Sequence, residues 1–309
     1  MRRRGSRAKF LMAALFTAFL WGGITPGTSV AEPITYTDMG YTLSDLGTLG
    51  GSDSYARATN DKGQVVGYSD TAGNVARHAF LYSDGTMIDL GTLGGSDSRA
   101  TAINNKGQVV GYSHTAGDLA YHAYLYSHGT MIDLGTLGGS ESVAYDINDK
   151  GQVVGYSDTA GNLARHAFLY SHGTMTDLGT LGGYTSNATA INDKGQVVGM
   201  SYTTGYLAYH AYLYSHGTMT DLGTLGGSKS VAYDINDKGQ VVGWSVPAGN
   251  VDSHGFLYSD GTMTDLAKVV YDLFLVENFL VSEISADQII GGGDWNGDQH
   301  AFTLTVPKK

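Results

Sequence analysis

The chain has no cysteine, four prolines and three tryptophans among 309 residues, and 15% of its side chains are charged. Without cysteine there are no disulfides, no thiolate metal sites and no thiol nucleophile. Once the first 31 residues are set aside, arginine is reduced to Arg57, Arg77, Arg99 and Arg165. No three-residue period accompanies the scarce proline, which excludes collagen. After Trp21 no apolar run approaches the roughly 20 residues that a membrane-spanning helix needs. Neither a Gly-x-Ser-x-Gly elbow nor a His-Glu-x-x-His pair is present. The formal charge is −11, and residues 1–31 hold five basic side chains and no acidic one. The remainder is therefore strongly acidic, a surface that repels nucleic acid and anionic lipid.

What the chain has in abundance is glycine, 45 residues, and tyrosine, 21, with 42% hydrophobic residues. That balance suits a β-rich, turn-dense protein with a sizeable core. At the start, Met-Arg-Arg-Arg-Gly-Ser-Arg-Ala-Lys precedes the apolar run Phe10–Trp21, and Ser29-Val30-Ala31 stands before Glu32. A basic, apolar and small-residue succession of this length predicts a secretory signal peptide over residues 1–31, and with it an extracellular or periplasmic destination and no membrane insertion after cleavage. Residues 32–40 read as a short linker, 41–305 as one repeat domain and 306–309 as a tail.

Asp-Leu-Gly-Thr-Leu-Gly-Gly begins at Asp45, Asp89, Asp133, Asp177 and Asp221, always 44 residues apart. Gln-Val-Val-Gly recurs in phase from Gln64 to Gln240, and a His-Ala-Phe-type triplet recurs at His78, His122, His166, His210 and His254. A sixth, drifted unit keeps Asp265-Leu266, Gln288-Ile289-Ile290-Gly291 and His300-Ala301-Phe302, with a longer connection from Ala267 to Leu280. Each unit reads as four short antiparallel strands joined by turn residues, the size and pattern of a propeller blade. The chain opens on a lone fourth strand, Tyr41–Leu46, and closes on a third, Gln299–Thr305. The expectation is an all-β, six-bladed β-propeller whose N-terminal strand closes the last blade and removes the exposed sheet edges. Small residues at Ala56, Ala100, Ala144, Ala188 and Ala232 place the first strand innermost. The Gly-Thr-Leu-Gly-Gly connections and Thr-Ala-Gly-Asn loops then share one face.

The phased motifs resemble the HAF-repeat family, described as extracellular repeat proteins of bacteria. The resemblance rests on the five Asp-Leu-Gly-Thr-Leu-Gly-Gly copies, on Ile-Asn-Asp-Lys-Gly-Gln-Val-Val-Gly from Ile147, Ile191 and Ile235, and on His-Ala-Phe at His78, His166 and His300. It covers residues 41–305, departing at Tyr124, Tyr212 and Gly255. It implies export and a repeat fold, and carries over no catalytic residue.

The six phased histidines sit too far from the axis to share a metal, and are expected to be clipped to Asp89, Asp133, Asp177 or backbone. Asp146, Asp234 and Glu283 share a first-strand position that is alanine in the other units (Ala58, Ala102, Ala190), so three acids can face the central channel, either as a cation site or bonded to backbone. Asp294 to Asp298 lacks the glycine and glutamate of a calcium loop. Tyr68, Tyr112 and Tyr156 read as blade packing, whereas Tyr184, Tyr206 and Trp295 break phase in loops and are candidate partner contacts. The four arginines are divided between two different strands of the unit, which argues against an arginine cluster. No cofactor or metal is implied. The expected function is a non-catalytic secreted scaffold binding a glycan or protein partner through loops on one face. The alternatives are a hydrolase or lyase using the three channel carboxylates, and a structural surface component; the sequence does not fix an oligomeric state.

Overall fold

The computed structural model describes residues 35–38, 41–205, 207–249, 252–274, 277–295 and 298–306. The expected signal peptide, Tyr206 and most of the expected tail lie outside the described residues. Strand β1 (Thr35–Asp38), inside the expected linker, pairs antiparallel with β2 (Tyr41–Ser44). The expected fastening of the last unit by Tyr41–Leu46 is therefore not made: among the described residues β2 is not paired with Asp298–Thr305, and the sheets do not close. Two residues separate β1 from β2, whereas joining β2 to the last strand closes a loop across nearly the whole chain, so the local hairpin carries the smaller entropic cost.

Each repeat forms the expected antiparallel meander. In the first, β3 (Gly50–Thr59), β4 (Val65–Thr71), β5 (Arg77–Ser83) and β6 (Thr86–Asp89) pair in chain order. The next four units repeat this pattern. The last has three strands, Glu277–Ser285, Gln288–Trp295 and Asp298–Thr305, preceded by helix α1 (Leu266–Phe274), which occupies the longer connection and was not legible as a helix in the repeat pattern. Every first strand is bulged. The register jumps at Ala56/Ala58, Ala100/Ala102, Ala144/Asp146, Ala188/Ala190, Ala232/Asp234 and Val281/Glu283. Opposite each bulge stands the glycine of Gln-Val-Val-Gly. A Cβ on Gly155 would lie 1.9 Å from the carbonyl oxygen of Val143, so the bulge dictates that glycine.

The conserved-looking phase of the other motif has an equally local cause. Asp89 accepts the Gly91 N–H at 2.7 Å and holds His78 Nδ1 at 2.9 Å, and because a carboxylate only accepts, Nδ1 carries the proton. The same clip joins His122 to Asp133, His166 to Asp177, His210 to Asp221 and His254 to Asp265. Gly91 takes a φ of 73°, which a side chain would strain. Leu90 is buried and donates its N–H to Ala79 O, and Ser98 Oγ accepts from Ala79 N–H at 2.8 Å while donating to Gly91 O at 2.6 Å. One unit is thereby stitched to the next.

At the opposite end of the strands, the turn asparagines form a ladder. Asn60, Asn104, Asn148 and Asn192 each donate Nδ2–H to the carbonyl of the next unit's asparagine at 2.9–3.0 Å, and Asn236 donates to Ala286 O. Between units lie separate apolar clusters, such as Val66, Ala79, Leu90, Ala100, Val109 and Tyr124 between the first and second. Ala100, Ala144, Ala188 and Ala232 are fully packed there, in line with an innermost first strand. All six units border one opening of about 620 Å3 at the asparagine end.

The even units place Tyr124 and Tyr212 where Phe80, Phe168 and Phe256 stand in the odd ones, all of them fully buried. Neither tyrosine hydroxyl meets a hydrogen-bond partner among the described residues. A buried, unmatched hydroxyl costs about 1–3 kcal/mol, so Tyr124→Phe and Tyr212→Phe are each expected to raise stability by about 1 kcal/mol or more. Thermal melting checks this; a lowered midpoint would contradict it.

Candidate functional site: an arginine and tyrosine funnel

The bulge sets one unpaired residue per unit in the first strand: Arg57, Thr101, Tyr145, Thr189, Tyr233 and Ser282. Four of these, Arg57, Thr101, Tyr145 and Thr189, line a cavity of about 900 Å3 together with Tyr68, Asp97, Arg99, Tyr112, His114, Tyr121 and Tyr156, and Asp97, His114 and Tyr121 lie toward the Gly-Thr-Leu-Gly-Gly ends of their strands. It draws mainly on the first three units. The 44-residue period is thus broken in the side chains that matter here and kept in those that hold the frame.

Arginines that the sequence scatters are brought together. The guanidinium carbons of Arg57, Arg77 and Arg99 stand 5.5, 5.3 and 5.1 Å from the centre of the Tyr68 ring. Arg99 is also 5.9 Å from Tyr112, and Arg165 is 4.2 Å from Tyr156. Each contact is within the range of a cation–π attraction. The expectation that the arginines do not cluster is therefore corrected for three of the four: Arg57 and Arg99 on first strands and Arg77 on a third strand become neighbours when the next unit packs alongside, as the pairing of Arg77 with Asp97 of the following unit illustrates. Tyr68 and Tyr156 are packed as expected, yet together with Tyr112 they also form the cavity wall.

Two arginines are neutralised. Arg77 Nε donates to Asp70 at 2.9 Å, a bond that raises its pKa, and Arg165 donates to Asp158 at 3.1 Å and Glu141 at 3.5 Å. Arg99 meets Asp97 at a longer 3.3 Å, and among the described residues Arg57 makes no ion pair. Burial raises the phenol pKa values of Tyr112 and Tyr121 and pushes that of Tyr145 up to about 12, so these rings stay neutral donors at ordinary pH.

No protein-family model matches the chain, and no curated protein matches it. Solved structures do. The β-propeller domain of the Trilobed protease from Pyrococcus furiosus, described as having an open velcro topology, is 10% identical with a TM-score of 0.51, covering 81% of this chain and 82% of that one. The putative TolB from Agrobacterium tumefaciens is 12% identical with a TM-score of 0.50, covering 87% and 95%. The fold is of the β-propeller type. At such identities the likeness speaks to architecture alone.

Within the propeller, the other candidate residues are dispersed. Tyr184, 63% exposed, stands at the funnel's face in the place of Ser52, Ser96 and Ser140, outside the cavity lining. Trp295 ends a strand and borders a separate apolar cavity of about 480 Å3 on the last unit, with Val270, Phe279 and Phe302. Asp146 and Asp234 are bonded to backbone: each accepts the N–H of its own next residue (Ile147, Ile235) at 2.8 Å and that of the following unit (Ile191, Ile284) at 2.9 Å. They clip the third unit to the fourth and the fifth to the sixth. Thr101 and Thr189 take the alternate junctions, with Oγ1 2.9 Å from Ala144 O and Ala232 O. From the second unit to the sixth, the two clips alternate from junction to junction. Among the described residues no three His, Asp or Glu side chains converge as a chelating group, so Asp146, Asp234 and Glu283 do not meet around a shared cation.

Burial raises the pKa of Asp146 to about 6, with Asp234 and Glu283 adding repulsion and the two backbone N–H groups opposing it; Asp234 and Glu283 are raised as well, chiefly by burial. A folded-state pKa above the unfolded value means the proton is bound more tightly in the fold. The contribution is fully present below about pH 4 and is lost as pH rises through about 6. The stability advantage of the wild type over Asp146→Ala, the residue that three other units carry, is therefore expected to be larger at pH 4 than at pH 7.5 in denaturant melts. An advantage that grows with pH would refute this.

Proposed function

We propose that this protein is a secreted, non-catalytic six-bladed propeller of the HAF-repeat type that binds a glycan or protein partner through its Gly-Thr-Leu-Gly-Gly face. The observation that carries the reading is the repeated presentation of apolar loop tips beside the funnel. Val75, Leu119, Leu163 and Leu207 occupy the same place in four successive loops and are 81%, 88%, 84% and 89% exposed. A single exposed aliphatic group needs no explanation, but one per unit at the same tip supplies equal weak contacts whose combination gives avidity. The loop conformation is fixed by side chain to backbone bonds. Asn74, at a φ of 56°, accepts Ser52 N–H at 2.8 Å, and Asn162 does the same for Ser140.

Changing these four tips to serine together is expected to lower binding to immobilised polysaccharides or cell-envelope preparations by more than about tenfold. Because the tips are solvated, the melting temperature should hardly move. Unchanged retention would count against the reading. Export is supported by the composition of residues 1–31, and a secreted form whose N-terminus is Glu32 tests it, with retained Met1 the opposing outcome. A catalytic role for Asp146 and Asp234 finds no support in their geometry, since both oxygens of each are taken up by backbone N–H groups.

Six blades imply a sixth junction, and its halves are present at the two ends. Asp45, Leu46 and Ser54 correspond to Asp89, Leu90 and Ser98, and His300-Ala301 corresponds to His78-Ala79. Ala301, Ala56 and Ile290 are exposed, although their counterparts at the five formed junctions are almost all fully packed. Matching halves left exposed in the open arrangement described above favour a ring that closes through these residues while β2 stays paired with β1. Closure predicts that Ser54→Ala destabilises about as much as Ser142→Ala; a cost under half as large would leave the ends apart.

A further inference from the structure

The funnel gathers charge that the rest of the molecule does not match. Beyond residue 31 the chain is acidic, yet its four arginines all belong to the first three units, and three of them surround the Tyr68 ring. Arg77 and Arg165 are tied to carboxylates. Arg57 and Arg99 are the two that line the cavity; Arg99 meets Asp97 there at 3.3 Å, and the other titratable side chains on the wall are His114 and the tyrosines. Asp70 and Asp97 offset two of the three charges around the ring, which leaves Arg57 as the cation that an incoming anion would neutralise. Guanidinium groups offer planar, forked donors that suit a carboxylate.

The walls restrict the anion further. Tyr68, Tyr112, Tyr121, Tyr145 and Tyr156 supply flat apolar faces together with neutral hydroxyl donors, and about 900 Å3 is far more space than an inorganic anion fills. A ligand with C–H faces to stack, hydroxyls to bond and a carboxylate to anchor matches all three features. We propose that the funnel binds an acidic saccharide, a sugar ring bearing a carboxylate, with Arg57 and Arg99 holding the carboxylate and the tyrosines stacking on the ring. This deepens the binding-scaffold reading above and rests on it.

Isothermal titration of the intact protein with trigalacturonate, with the neutral galactotriose and with sodium sulfate tests the inference. Saturable binding of trigalacturonate is expected, at least tenfold tighter than galactotriose, with no saturable heat from sulfate. Arg57→Gln and Arg99→Gln should each weaken trigalacturonate binding at least tenfold, and Arg57→Lys, which keeps the charge, should weaken it less. Melting curves establish that each variant is folded, and Arg99→Gln serves alone if Arg57→Gln is not. Equal affinity for the neutral sugar, saturable sulfate binding of the same strength, absence of trigalacturonate binding, or indifference to both arginine variants would overturn the proposal. The loop-tip serine variant separates the two readings. If it loses the envelope partner while trigalacturonate never binds, the acidic-sugar inference falls and the scaffold stands. If trigalacturonate binds and the loop tips are irrelevant, the reverse holds.

Discussion

Gly155→Ala is expected to lower the stability of the protein by about 3 kcal/mol or more, the upper range for forcing an extra methyl into a packed interior. The methyl would sit 1.9 Å from Val143 O, 2.9 Å from Val143 C and 3.0 Å from Ala144 Cα, all of them backbone atoms that cannot rotate away. Relief requires the bulge at Ala144/Asp146 to flatten. That would swing Tyr145 out of the funnel and move the Asp146 clip away from Ile191 N–H, so binding and stability should fall together. Urea denaturation gives the magnitude. Gly173→Ala is the matched control for a glycine outside any bulge: nothing lies within 4 Å of its Cβ, and only its φ of 81° is strained. A Gly155→Ala protein as stable as this control would show that the bulge is not fixed by the close approach of the two strands.

Ser142→Ala is expected to cost about 2–4 kcal/mol, because it strips two buried hydrogen bonds at once and leaves both partners unmatched. Its Oγ accepts Ala123 N–H at 2.8 Å from the preceding unit and donates to Gly135 O at 2.6 Å, and the residue is fully buried. The carbonyl and amide belong to different elements, so the hydroxyl is the pivot between a third strand, the connection after it and the next first strand. Ser98, Ser186 and Ser230 make the same pair of contacts and should respond alike. Differential scanning calorimetry decides the matter: a loss below about 0.5 kcal/mol, the size usual for a solvated surface change, would remove the serine from the set of residues that join the units.

Which of these features were legible beforehand follows from how each arises. The His-to-Asp clips were readable, because His166 and Asp177 lie on adjacent strands of one unit and their spacing recurs. The bond of Asp146 and Asp234 to backbone was one of two open readings; the reach of each carboxylate into the next unit, to Ile191 and Ile284, was not visible, since it depends on how two units are rotated about the axis. The arginine cluster was misread for the same reason. Arg57, Arg77 and Arg99 occupy three repeat positions on first and third strands of two units, and only lateral packing places all three around Tyr68. Helix α1 escaped notice because the repeat offered no template for the one connection that departs from it.

By itself, the sequence determined the repeating unit: four strands, their turns, and the phased histidines and aspartates that pair within it. Hydrogen-bond demand and the two-residue side-chain period act over short stretches of chain, so a 44-residue pattern suffices to express them. Tertiary structure alone decided where Tyr41–Ser44 pairs, which side chains meet across units, and that the phase-breaking residues Arg57, Arg99 and Tyr145 face one cavity. Those outcomes depend on loop-closure entropy and on the rotation between neighbouring sheets, quantities set by the whole assembly rather than by any one repeat.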